Sequence, residues 1–365
     1  MNAEEVLTAL SAVREPTSGK DVVRLGMVRD LQVAPGRVAF TLMLEDPIAP
    51  FSGNAEELCR RALVERFGDD LVVEIAADNE MIGLGDGLSV AGEKETAKGI
   101  RNTIAVASGK GGVGKSTVAV NLAVSLAQLG YDVGLVDTDI YGPSIPTMFG
   151  ELNAKPTVRG KKIVPIEKYG VKLLSMGFLV EPEKAVIWRG PMVSSAVRQF
   201  LGETDWGDLD YLIMDLPPGT GDIQLTIVQT VSLSGAIVVS TPQAVALADA
   251  RKGVAMFDQV NVPVLGIVEN MAFFVPPDMP DKKYFLFGQE GARALAKELD
   301  VSLLGQIPLE QSLRQFCDEG KPAVEAAPES ASSKAFGEMA REVVRQVNLR
   351  NASAPPTKVV EILHR

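Results

Sequence analysis

Gly109-Lys110-Gly111-Gly112-Val113-Gly114-Lys115-Ser116, followed by Thr117, is the stretch that decides the fold. It comes straight after a short apolar run, Ile104–Ala107, and just before the helical run Val118–Leu129. Strand, glycine loop, helix is the context that a phosphate-binding loop requires, and the spacing matches that pattern in full. The glycines let the backbone turn tightly, so that successive N–H groups point at phosphate oxygens. The helix opening near Lys115 adds its positive end. In such a loop Lys115 reaches the β- and γ-phosphates and the Ser116 hydroxyl ligates Mg²⁺. Gly109, Lys110, Gly111, Gly112, Val113, Gly114, Lys115, Ser116 and Thr117 are therefore the expected ATP cradle.

Outward from the loop, short apolar strands alternate with helices. Val133–Val136, Tyr211–Met214, Ala236–Val239 and Val264–Val268 each run into a loop rich in Gly, Pro, Asp or Thr. Such alternation predicts an α/β fold: a P-loop NTPase with a mostly parallel sheet and helices on both faces. Ligands on such sheets bind beyond the carboxyl ends of the strands. The first of these ends reads Asp137-Thr138-Asp139-Ile140-Tyr141-Gly142-Pro143-Ser144. Asp139 is expected to orient or deprotonate the attacking water and Asp137 to address the magnesium shell. The next reads Asp215-Leu216-Pro217-Pro218-Gly219-Thr220-Gly221-Asp222. A strand ending in aspartate is the Walker-B arrangement, so Asp215 is expected to hold Mg²⁺ through water, and Gly219 to bring a backbone N–H to the γ-phosphate. Glu269-Asn270-Met271 and Gln306-Ile307-Pro308 follow two further strands and are candidates for contacts with the base, Pro308 through its backbone.

Residues 1–82 read as a small α+β domain. Val6, Leu7 and Leu10 form a helical stripe, and Met27–Val33 and Val38–Leu44 are strands joined by the turn Ala34-Pro35-Gly36-Arg37. Leu58, Ala62, Leu63 and Phe67 fall at helical spacing, and Leu71–Ile75 is a further strand. Residues 83–101 carry five glycines among charges and are expected to be a linker. The ATPase domain is expected over 102–348, closed by an amphipathic helix through Ala335–Val344, and 349–365 is expected to be a loose tail.

Composition narrows the chemistry. Among 365 residues, 36 basic and 47 acidic give a net charge of −11, which speaks against a broad nucleic-acid surface. No run is long and apolar enough to span a membrane. Met1–Leu10 has no basic stretch followed by an apolar one, so a secretory signal is not expected. Two cysteines, Cys59 and Cys317, without a CxxC pair suit a reducing cytoplasm. The single histidine, His364, excludes a Ser-His-Asp triad and a His-based zinc site.

Lys110, straight after the first glycine, makes the loop resemble the deviant P-loop of the MinD/ParA/nitrogenase-iron-protein class. That resemblance implies a homodimer in which Lys110 reaches the partner subunit's nucleotide. Together with DTDIYGPS, MDLPPGTGD, Trp188-Arg189-Gly190-Pro191-Met192 and VENM, the chain closely resembles the Mrp/ApbC-type iron–sulfur cluster carrier ATPases over 102–325. The N-terminal unit is similar to the MIP18-type domain often fused ahead of them, through VVRLGMVRDL and PIAPF. The resemblance implies ATP hydrolysis and carriage of a cluster, [4Fe-4S] across the dimer, to apo iron–sulfur proteins. The assignment of Asn270 to adenine rests on it. Two thiol sites of the family are replaced here, by Phe273–Met279 after the ENM segment and by Ala49 before Pro50. Cys317, read in an exposed loop, is then the remaining candidate cluster ligand, and Cys59 reads as a core residue. The alternatives are a MinD/ParA-like positioning ATPase and a nucleotide-binding adaptor without its own cluster.

Overall fold

The computed structural model describes residues 1–15, 19–44, 52–68, 70–79, 99–140, 142–160, 162–178, 190–276, 278–279 and 282–353. The readings made on Pro47–Phe51, Tyr141, Trp188-Arg189, Pro277, 83–98 and 354–365 lie outside the described residues. The described chain divides into two units, Met1–Lys94 with Val344–Pro356, and Glu95–Val343 with Thr357–Arg365.

In the first unit, α1 (Ala3–Leu10) opens on a capping box. Asn2 Oδ1 accepts from the Glu5 amide, and Glu5 Oε2 accepts from the Asn2 amide, both at 2.9 Å. Its stripe Val6, Leu7 and Leu10 is buried. β1 (Val28–Ala34) and β2 (Arg37–Leu44) form the antiparallel hairpin, turning at Gly36 with φ +73°. α2 (Ser52–Phe67) then crosses over to β3 (Val72–Asn79), which pairs parallel to β2. Phe40, Leu42, Cys59 and Leu63 lie in the core of this unit.

In the second unit, β4 (Ile100–Ala107) leads through the glycine loop into α3 (Lys115–Gln128). There follow β5 (Val133–Asp137), α4 (Ile145–Met148), the small hairpin β6 (Thr157–Arg159) and β7 (Lys162–Val164), β8 (Ile166–Lys168) and β9 (Val171–Ser175). The chain continues through α5 (Gly190–Gly202), β10 (Leu209–Asp215), α6 (Asp222–Thr230), β11 (Gly235–Ser240), α7 (Ala244–Gln259), β12 (Val264–Glu269), α8 (Gly291–Glu298) and β13 (Leu303–Gln306). α9 (Gln311–Asp318), α10 (Ala323–Ala326) and α11 (Ala331–Ser353) complete it.

The large sheet has the order β13-β12-β11-β4-β10-β5-β9-β8, parallel throughout except for β8 against β9. Every residue of β5, β10 and β11 is buried, as a sheet covered on both faces requires. The five strands read from sequence are there, and β4 starts at Ile100, inside the stretch read as linker. β4 lies between β11 and β10, the strand order reverses around it, and the glycine loop leaves its carboxyl end at that switch point.

Two readings are corrected. Residues 349–353 are not a loose tail: α11 runs to Ser353, Leu349 and Ala352 pack into the first unit's core, and Arg29 Nη1 donates to the Asn351 carbonyl at 3.1 Å. Cys317 is not in a loop but on α9, 8% exposed. Leu313 and Cys317, one helical turn apart, are its buried stripe.

Candidate nucleotide site

The glycine loop is shaped by what packs behind it. A Cβ at Gly109 would collide with the backbone of Asp249 in α7, so only glycine fits there. Gly112 and Gly114 have φ of +81° and +80°, a region that favours glycine. A Cβ at Gly114 would also strike Asn270 Nδ2. Asn270 lies just beyond β12 and donates through Nδ2 to the Val113 carbonyl at 2.8 Å. The residue assigned to the base thus braces the loop. On the opposite side nothing approaches within 4 Å of where a Cβ of Gly111 or Gly112 would sit. The loop is braced on one side and open on the other, as a phosphate cradle must be.

Parallel pairing of β10 with β5 places Asp215 in register with Asp137, both wholly buried. Asp137 Oδ1 accepts from the Asp139 amide at 3.0 Å, while Oδ2 accepts from the Ile145 amide at 3.2 Å and the Ser175 hydroxyl at 3.0 Å. Burial, and then the charge of Asp215, push the Asp137 carboxyl up from 3.8 to about 7. Lys115, 6% exposed, places Nζ 2.5 Å from Asp215 Oδ1, 3.2 Å from Ser116 Oγ and 4.0 Å from Asp139 Oδ2. Asp215 Oδ2 is buried with no hydrogen-bond partner. A buried carboxylate oxygen without a donor beside a second carboxylate and a hydroxyl is an oxygen set that suits a hard divalent cation. The residues read as the Mg²⁺ site, Ser116, Asp137 and Asp215, therefore fit that ion.

The remaining predicted residues gather around this centre. Asp139 accepts from the Gly142 amide at 3.3 Å. The Gly219 N–H, expected at the γ-phosphate, donates to the Ser108 carbonyl at 2.9 Å, and φ at Gly219 is +99°. Pro308 is buried between Ile307, whose amide donates to the Glu269 carbonyl, and Leu309, whose amide donates to the Phe273 carbonyl. This sets it beside the Asn270 loop. Lys110 is half-buried, and its ammonium forms no ion pair among the described residues. Thr117 lies near the Cys317 thiol, whose pKa burial pushes up. Cys317 therefore backs the loop's helix and presents no thiolate to a metal. Among the described residues no group of three or more His, Cys, Asp or Glu could hold a metal ion.

Two residues escaped the sequence reading. Ser175 ends β9, a strand that it did not register, and sits opposite Asp137. Gln224, in the first turn of α6, lines a cleft with Asp139, Gly142, Pro217, Pro218 and Gly221. Its signal was its place two residues after Asp222 in a motif already noted.

The chain is similar to known proteins over both of its units. The family described as "NUBPL iron-transfer P-loop NTPase" matches residues 99–344, and the one described as "Iron-sulfur cluster assembly protein" matches residues 3–75. The "Iron-sulfur cluster carrier protein" of Synechocystis sp. is 48% identical over 355 residues, 96% of this chain and 99% of that one. A nucleotide-binding protein of Archaeoglobus fulgidus, solved in complex with ADP, is 40% identical with a TM-score of 0.58, over 67% of this chain and 95% of that one. The septum site-determining protein MinD of Pyrococcus horikoshii, solved with Mg-ADP, is 25% identical with a TM-score of 0.51, over 67% and 96%. No helix among the described residues is long and apolar enough to cross a membrane.

Proposed function

This chain belongs to the NUBPL iron-transfer P-loop NTPase family, and from that premise we propose that it is a Mg²⁺-dependent ATPase that serves iron–sulfur cluster delivery as a homodimer. The observation that carries the reading is the contact of Lys115 with Asp215 beside the unsatisfied Asp215 Oδ2. ATP draws the Lys115 ammonium onto its β- and γ-phosphate oxygens, which frees Asp215 Oδ1. Ser116, Asp137 and Asp215 would hold Mg²⁺, which would supply positive charge beside those phosphate oxygens. Gly219 N–H exchanges the Ser108 carbonyl for the γ-phosphate, so loss of that phosphate resets the loop. Asp139 orients the attacking water. Asn270 holds the loop through Val113, and together with the Pro308 backbone it borders the base. Lys110 completes the site of the partner subunit, so hydrolysis requires the dimer.

The cluster is cargo. Iron–sulfur clusters need thiolates, and both thiols of this chain are poor sources. Burial, and then the Glu56 charge, push the Cys59 thiol up to about 12, and burial raises that of Cys317. Thiolates of the donor and of the apo iron–sulfur client therefore hold the cluster during transfer. The site of action is the cytoplasm, where two unpaired thiols persist. Anaerobic mixing of the protein with a cluster donor and an apo [4Fe-4S] enzyme tests this reading. Mg-ATP is expected to speed client activation with wild type and not with Lys115→Ala; equal rates with and without nucleotide reject it.

A further inference from the structure

We propose that Gln224 is a positioning residue for hydrolysis, its carboxamide holding the attacking water against Asp139. This inference rests on the ATPase reading above. Gln224 is 2% exposed, and neither Nε2 nor Oε1 has a hydrogen-bond partner. A buried amide with both ends unsatisfied is costly and calls for an explanation. Packing does not supply one: the neighbouring positions Ile223, Leu225, Ile227 and Val228 meet the core with apolar side chains, and a space-filling residue at 224 would be apolar too. Gln224 and Asp139 are both among the residues that line the cleft between the loop after β5 and the loop after β10. The N-terminus of α6 opens onto the same cleft, and its N-cap, Gly221, supplies no side-chain hydrogen bond.

A water in that cleft needs acceptors for its two hydrogens and a lone pair aimed at phosphorus. Asp139 accepts one O–H and Gln224 Oε1 the other, while Nε2 donates to a γ-phosphate oxygen. The water oxygen bonds to the γ-phosphorus as the bond to the β–γ bridging oxygen breaks. ADP leaves with that electron pair, and the water's proton passes through Asp139 to the phosphate product. A neutral carboxamide does this without adding charge to a cleft that already holds Asp139 and Asp222.

The test compares full-length wild type, Gln224→Leu and Gln224→Met for thermal midpoint, ATP affinity and single-turnover hydrolysis. Gln224→Leu removes the orphaned amide, so its midpoint is expected to hold or rise. ATP affinity is expected to stay within about twofold, and the hydrolysis rate to fall at least about tenfold. A rate within about twofold of wild type, or a rate that falls only in step with affinity, overturns the proposal. Gln224→Met is read in the same way, and failure of both variants to fold makes the amide structural and also overturns it. Absence of wild-type turnover with Mg-ATP and client removes the ATPase reading itself, a result distinct from turnover that ignores Gln224.

Discussion

Lys115 Nζ lies 2.5 Å from Asp215 Oδ1, so the cation of the phosphate loop rests on the carboxylate that closes β10. Asp137 stands in register beside it, and the charge of that ammonium acts on both buried carboxylates. Lys115→Met leaves both without it. Breaking one side of a buried ion pair costs about 3–5 kcal/mol, and the cost is expected to be smaller at about pH 5.5 than at about pH 8, because the Asp137 carboxyl then carries a proton and one charge fewer is left uncompensated. Urea denaturation at the two pH values checks this; equal loss at both contradicts it.

The Asp137 carboxyl predicts a pH dependence of its own. Its folded value, about 7, lies above the ordinary 3.8. Between those values the folded protein holds a proton that the unfolded chain has lost, so stability falls as pH rises across the window and levels off above it. Thermal midpoints measured with chelator and without nucleotide are expected to show that decline, and Asp137→Asn to flatten it.

The glycines of the loop are expected to separate by position. Gly109→Ala drives a methyl into the Asp249 backbone, and Gly114→Ala meets Asn270 at φ +80°. Each is expected to cost about 1–3 kcal/mol. Gly111→Ala meets nothing within 4 Å and is expected to stay within about 0.5 kcal/mol. Thermal melts of the three variants check the order.

Much of this site was legible because the carboxyl ends of parallel strands converge. Reading Asp137, Asp215 and Asn270 as strand-end residues was enough to place them around Gly109–Thr117. What stayed hidden depended on packing. The Asn270 bond to Val113 joins residues far apart in sequence, and no spacing rule announces it. Ser175 was missed because β9 is a short strand beside an antiparallel edge. Cys317 was misplaced because α9 has only two buried positions, too few for a clear stripe. Leu349 and Ala352 escaped because the prolines that follow drew the boundary too early.

Both thiols are buried, and each is held protonated. A thiol reagent is expected to modify neither cysteine until the chain unfolds. Anaerobic reconstitution of the isolated protein is expected to give no thiolate–iron charge-transfer band, with or without Cys59→Ser and Cys317→Ser. A band that Cys317→Ser abolishes contradicts the account of the cluster as shared cargo.

The central claim is that this loop hydrolyses ATP only when two copies face each other, with Lys110 acting across the interface. Sedimentation velocity and phosphate release, measured together for wild type and Lys110→Ala under Mg-ATP, test it most directly. Wild type is expected to sediment as a dimer with ATP and to turn over, while Lys110→Ala binds ATP as a monomer and releases phosphate at least about tenfold more slowly. A Lys110→Ala protein that dimerises and hydrolyses as wild type does contradicts it.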